Sequence, residues 1–347
     1  MTESTADVAD SMRSGTGTGA ETDPVAFIFP GQGSQTPGMG RLVHEHSEAA
    51  RRTFEEASDI TGIDLVKVCF EGDADDLAET TFTQPAVVTT SVAIVSAMRE
   101  KLSDVGRLVR PRFFGGHSLG LFSAAVTSEA MTFRDALMVI MERSRLMSSF
   151  NADRPVGMAS IIGLDGEMVA QICEEATRTE ADRVDLANYN LDNQMVISGD
   201  VTALERAMDR AKELQGKVIR LKVKVSSHTP LHIEQAEEFA LTIREVPLVD
   251  PVRPIMSNIT SRPLRTADDV RAEFEAQLRS PVFWAENVRS MAREGVSTFV
   301  EIGPGHVLSR MVKRVHEGLT AVSLDDATEP PIPISALPPQ LSPEGAP

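Results

Sequence analysis

A chain of 347 residues, 41% of them hydrophobic, is long enough to enclose a sizeable core, which excludes a disordered or fibrous protein. Its formal net charge of −17 excludes broad binding to nucleic acid or an anionic membrane, and any acidic partner must dock on a local basic patch. Cys69 and Cys173 are too few for a disulfide scaffold or a metal cluster, so a reducing cytoplasm is the expected compartment.

Residues 1–23, rich in Ser, Thr, Gly, Ala and acids, read as a disordered tail, and 329–347 as a Pro-rich irregular one. No apolar stretch reads as membrane-spanning and no signal-peptide core is visible. Val25-Ala26-Phe27-Ile28-Phe29 reads as a buried strand running into Pro30-Gly31-Gln32-Gly33-Ser34-Gln35. Residues 44–60 read as a charged helix, and Pro85 as the first turn of a helix reaching Leu102. Arg112-Phe113-Phe114 forms an apolar run ahead of a turn, and a helix over 133–150 carries Arg143. The pattern then changes: strand 156–164, helix 166–177, strands 184–190 and 194–198, helix 201–214, strand 217–223. That β-α-β-β-α-β order is ferredoxin-like. Beyond it come helix 231–244, strand 254–258, helix 267–293 broken at Pro281, strand 298–302 and helix 306–317. The alternation predicts an α/β fold. An α/β-hydrolase-like large domain with a mostly parallel sheet (24–152 and 224–328) holds an inserted ferredoxin-like small domain (153–223).

Gly116-His117-Ser118-Leu119-Gly120 is the G-x-S-x-G pattern in a strand–turn–helix setting. A serine on so tight a turn needs small neighbours, which the glycines provide. The turn lifts the hydroxyl clear of the sheet, and N–H groups at the start of the next helix can hold a developing oxyanion. The hydroxyl is a poor nucleophile until a base takes its proton. Among the seven histidines, His44, His46 and His316 read as solvated, His306 shapes a glycine turn, His117 points away from Ser118, and His232 falls on the next helix. His228 follows the alternating run Ile219, Leu221, Val223, Val225 at the C-terminal end of a strand, where active sites of open α/β sheets collect. Asp250 and Glu301 are candidates by chain order for a third member, and a backbone carbonyl would orient the imidazole equally well.

Taken together, the motifs resemble the malonyl-CoA:acyl-carrier-protein transacylase family, which includes the acyltransferase domains of polyketide synthases. The resemblance spans residues 25–324 and rests on five segments: the Phe29-to-Gln35 loop, Thr83-Gln84-Pro85-Ala86, the Ser118 elbow, Ser227-His228 and Glu301-Ile302-Gly303-Pro304-Gly305. It implies ping-pong acyl transfer in fatty acid or polyketide synthesis. Ser118 attacks an acyl-CoA with His228 as base, the N–H groups of Leu119 and Gln32 form the oxyanion hole, and the main-chain carbonyl of Gln277 orients the histidine. The acyl group then passes to the phosphopantetheine thiol of an acyl carrier protein. Arg143 is implied to pair bidentately with the free carboxylate of a malonyl or methylmalonyl group, which a planar guanidinium does and a lysine cannot. Asn188, Asn190 and Gln194 are implied to face substrate from the small domain. No metal or resident cofactor is expected; the partners are acyl-CoA and an acyl carrier protein, and a monomer is the default state. Leu121 stands where many members carry glutamate, which changes the polarity expected beside the site, and the small Ser227 leaves room for a group larger than malonyl. The basic patch for the carrier is either Arg310, Lys313 and Arg314 or Lys217, Arg220, Lys222 and Lys224. Two rival readings remain. A serine enzyme that hydrolyses or shuttles other acyl groups has no use for Arg143. A carrier-binding scaffold has no need of both Ser118 and His228.

Overall fold

The computed structural model describes residues 23–325 except 74, 105–109, 222 and 224. Both predicted tails, apart from Asp23, and the cations Lys222 and Lys224 lie outside the described residues.

The chain opens on β1 (Asp23–Phe29), where residues 25–29 are all apolar and buried. A strand with no polar alternation is covered on both faces. Val25, Phe27 and Phe29 enter one core, while Ala26 and Ile28 enter another on the opposite side of the sheet. Three helices follow: α1 (Arg41–His46), α2 (Glu48–Thr61) and α3 (Leu65–Glu71). The single helix expected over 44–60 is therefore two. Ser47 takes extended backbone, and its hydroxyl accepts the Ala50 N–H, ending α1 and capping α2. His44, expected in solvent, packs edge-on to Phe54 and Phe70, 5.7 and 5.2 Å between ring centroids.

Next comes α4 (Thr80–Asp104), which begins five residues before Pro85 rather than at it. As the sixth residue of the helix, Pro85 has no N–H to give the Thr81 carbonyl, and the helix runs on through a stretch, 83–95, that is buried throughout. Contrary to the sequence expectation, this helix is long and apolar enough to cross a membrane, but 83% of its apolar window is buried inside the fold. It is the core helix, apolar all round because it is covered all round.

β2 (Pro111–Gly116) runs into α5 (Gly120–Thr127), and α6 (Phe133–Asp153) leads to a second unit. That unit consists of β3 (Val156–Ile162), α7 (Gly166–Ala176), β4 (Val184–Leu191), β5 (Gln194–Asp200), α8 (Val201–Glu213) and β6 (Lys217–Arg220). Its sheet, ordered β4-β5-β3-β6, is antiparallel throughout, and α7 and α8 bury Val169, Ile172, Leu204 and Ala207 against it. β6 stops short of the expected residue 223 because its pairing with β3 ends at Arg220.

The chain then returns through α9 (Ile233–Glu245), β7 (Ile255–Met256), β8 (Pro263–Leu264) and α10 (Ala267–Ala276), which a Thr266–Asp269 capping box starts. It finishes with α11 (Trp284–Arg293), β9 (Thr298–Ile302), α12 (Val307–Val315) and β10 (Thr320–Leu324). The large sheet is ordered β10-β9-β1-β2-β7-β8 and is parallel except for β8. The C-terminal ends of β1, β2, β7 and β9 thus share one edge. The two units are stitched there: Tyr189 N–H donates to the Val282 carbonyl at 2.8 Å, and Val282 N–H to that of Ala187 at 2.9 Å.

Candidate active site

At the end of β2 the chain must turn within a few residues to start α5. Ser118 takes the turn with φ 51, a left-handed conformation. The flanking glycines answer to contact rather than to dihedral. A Cβ on Gly120 would sit 2.0 Å from the Phe29 carbonyl oxygen, and one on Gly116 would sit 2.2 Å from the Gly120 backbone. The elbow is thereby pressed against the end of β1.

His228, on the loop after β6, is also left-handed at φ 63. Its N–H donates to the Leu278 carbonyl at 2.8 Å, and its Nδ1 lies 3.0 and 3.1 Å from the carbonyls of Gln277 and Ser280. Carbonyls only accept, so Nδ1 carries the proton and Nε2 is left with its lone pair. That lone pair faces Ser118 Oγ at 2.7 Å. Burial, then the charge of Arg143, then His117, hold the imidazole pKa down at about 3, so it is neutral at ordinary pH. Neither acid considered for the third place reaches it. Asp250 accepts the Ala267 N–H, and Glu301 accepts the Leu308 and Ser309 N–H groups at the start of α12. Gln277 does more than the sequence implies: its side chain also donates to the Ser118 carbonyl at 3.1 Å.

Arg143 comes from the middle of α6 and is 1% exposed. Nη1 donates to Gln84 Oε1 at 2.7 Å and Nη2 to Ser118 Oγ at 3.3 Å, while buried Nε has no partner. No carboxylate among the described residues pairs with it. Burial lowers its pKa to about 10, which leaves it a cation at neutral pH. A buried guanidinium with no carboxylate partner has the charge and donors to receive an anion.

Gln32 sits on the loop after β1, its Oε1 accepting from Thr80 Oγ1 at 3.1 Å and its Nε2 buried without a partner. Among the described residues, neither the Leu119 nor the Gln32 backbone N–H donates to a protein acceptor. Asn188, Asn190 and Gln194 line the opposite wall, from β4 and β5. Asn190 Oδ1 accepts from His117 Nε2 at 2.8 Å, so His117 faces the small unit rather than Ser118, and Gln194 Oε1 accepts from Arg314. The cleft encloses about 260 Å³, with Met147, Met158, Val196 and Val225 as its apolar side and Ser227 beside His228. Leu121, expected to alter polarity at the site, instead packs into the main core. Sequence reasoning missed Asn258, whose side chain spans the elbow. The available signal was the polar run Ser257-Asn258-Ile259-Thr260 after a strand's C-terminal end.

Residues 26–330 match the acyl transferase domain family. A malonyl CoA-acyl carrier protein transacylase of Bacillus subtilis (strain 168) is 38% identical over 303 residues, 87% of this chain and 93% of that protein. The crystal structure of FabD from Acinetobacter baumannii aligns at TM-score 0.81 and 34% identity, covering 88% of this chain and 95% of that one. A malonyl-transacylase solved in complex with its type II PKS acyl-carrier protein aligns at TM-score 0.82 and 34% identity, covering 87% and 96%. A serine elbow, an imidazole 2.7 Å from it and this extent of shared sequence and fold lead to one statement: the chain belongs to the acyl transferase domain family, among the malonyl CoA-acyl carrier protein transacylases.

Proposed function

We propose that the protein moves a malonyl-type, dicarboxylic acyl group from CoA to the phosphopantetheine thiol of an acyl carrier protein through an ester on Ser118. Ser118 Oγ attacks the thioester carbon as its proton passes to His228 Nε2. The carbonyl oxygen takes up negative charge, which the free N–H groups of Leu119 and Gln32 receive. His228 then gives its proton to the departing CoA sulfur. In the second half the carrier's thiol loses its proton to His228 and attacks the ester; as the intermediate collapses the acyl group leaves on the carrier's sulfur and His228 returns the proton to Ser118 Oγ. Written with these residues, the reaction uses no resident cofactor. Asn188, Asn190 and Gln194 are the small unit's side of the substrate channel.

The observation that carries this reading is Arg143, a buried cation with no carboxylate partner among the described residues, 3.3 Å from Ser118 Oγ. A carboxylate two carbons from the thioester carbonyl supplies what it lacks, whereas a simple acyl chain would leave it unpaired. The carrier's approach fits α12. Arg310, Lys313 and Arg314 are exposed there, and Val307 and Met311 of the same helix line the cleft. The other cluster is weaker: Arg220 is paired with Glu205 at 3.1 Å. Brief exposure to malonyl-CoA or acetyl-CoA, followed by intact-mass measurement, tests the reading. The malonyl adduct on Ser118 is expected to dominate; equal labelling would remove the carboxylate from the argument.

A further inference from the structure

We propose that Asn258 is a positioning residue for the nucleophile and that Glu273 holds Asn258 in place; this rests on Ser118 being the acylated residue. A residue with a Cβ enters the left-handed region at a cost, so something must keep Ser118 there. The Asn258 carboxamide spans the turn. Its Oδ1 accepts the Ser118 N–H at 2.8 Å, and its Nδ2 donates to the Gly116 carbonyl at 2.7 Å. This also takes the Ser118 N–H out of the oxyanion's reach and leaves that duty to other donors.

Asn258 is itself fixed. It is 1% exposed, its N–H donates to Glu273 Oε1 at 2.7 Å, and its carbonyl accepts from Phe283 at 2.8 Å. Ser257 Oγ donates to the other Glu273 oxygen at 2.6 Å. Glu273 is 4% exposed and pairs with no cation among the described residues; these donors are what hold it. Neither Glu273 nor Asn258 lines the cleft, and no chemical step uses them. Gln277 lies four residues after Glu273, just past α10, and grips the Ser118 carbonyl and the His228 ring. One segment, 273–280, therefore sets both partners of the 2.7 Å contact, through Asn258 on one side and Gln277 on the other.

Asn258→Asp tests the clamp. The introduced carboxyl still accepts the Ser118 N–H, but it must be protonated to donate to Gly116. The charged or titratable groups joined to it by hydrogen bonds are Glu273 and, beyond Ser118, His228 and Arg143. With malonyl-CoA, the acylation rate is expected about 10- to 100-fold below the parent near pH 8, with KM within about twofold, and the ratio should recover toward about pH 5. A variant-to-parent ratio that does not change with pH overturns the clamp. Should circular dichroism show that this variant fails to fold, Glu273→Gln decides. The expected result is kcat per titratable serine down about 3- to 10-fold with KM unchanged, and unaltered kcat overturns the proposal. The parent is labelled first. If its Ser118 takes no acyl group, the functional reading fails; if it does and the variants match it, only the clamp fails.

Discussion

Arg143 and His228 act on each other through the few ångströms around Ser118, and the effect has a sign. The guanidinium disfavours a proton on the imidazole, which helps keep that ring a base. The free enzyme should therefore show no histidine limb in kcat/KM between about pH 5 and 8. When a substrate carboxylate neutralises Arg143, the imidazole pKa rises, so the acid limb of kcat should lie at higher pH than that of kcat/KM. Coincident limbs in steady-state profiles would mean that the cation is not neutralised. Arg143→Ala should cut kcat/KM for malonyl-CoA by about 150- to 5,000-fold, matching the roughly 3–5 kcal/mol of a broken buried pair. Acetyl-CoA should change far less, and parallel kinetics with both thioesters reads the difference. Gly120→Ala forces a Cβ to within 2.0 Å of the Phe29 oxygen, so serine-directed labelling of Ser118 should be lost.

Elements, too, were legible where one pattern governed them. The buried strand β1, the β-α-β-β-α-β unit and the elbow all follow from local residue order. What escaped were local overrides: Ser47 capping in mid-run, and Pro85 sitting inside α4 rather than opening it. The site divides the same way. Ser118 and His228 stand in recognisable contexts, but Asn258 lies 140 positions from Ser118 and no spacing links them. Glu301 shows how chain order misleads. Wholly buried in β9, it accepts two N–H groups of α12 instead of serving the histidine. Glu301→Ala should destabilise the fold by about 1–3 kcal/mol, because it removes a cap and strands two buried donors. Thermal melts measure that. KM should rise as well, since α12 brings Val307 and Met311 to the cleft.

Across the whole molecule, three buried imidazoles tie stability to pH. His117, His228 and His232 are all held below the ordinary 6.5, chiefly by burial, with His228 at about 3 and His232 at about 4. Below about pH 6.5 the unfolded chain binds protons that the folded chain refuses, so this stability is full above pH 6.5 and is lost as pH falls toward about 3. Glu273 and Glu301, raised by burial, work in the opposite sense, their contribution fading as pH climbs above 4.5. The imidazoles take up protons in the unfolded chain across this window while His228 and His232 stay neutral in the fold, and Tm should drop between about pH 6.5 and 5. His232→Gln should flatten that slope by up to about 1.4 kcal/mol per pH unit, read from melts across the range.

The direction of the parallel strands has a last consequence. The backbone comes into the large sheet through Asp23 at the end remote from the cleft and departs after Leu324 at the end beside it. A thiol-bearing domain grafted behind Leu324 would be leashed on the entrance side, where a short tether turns each encounter into an intramolecular one. Spliced ahead of Asp23, the same domain would have to reach round the full depth of the sheet. For anyone building a self-loading fusion, that makes the tail of this protein the end to use.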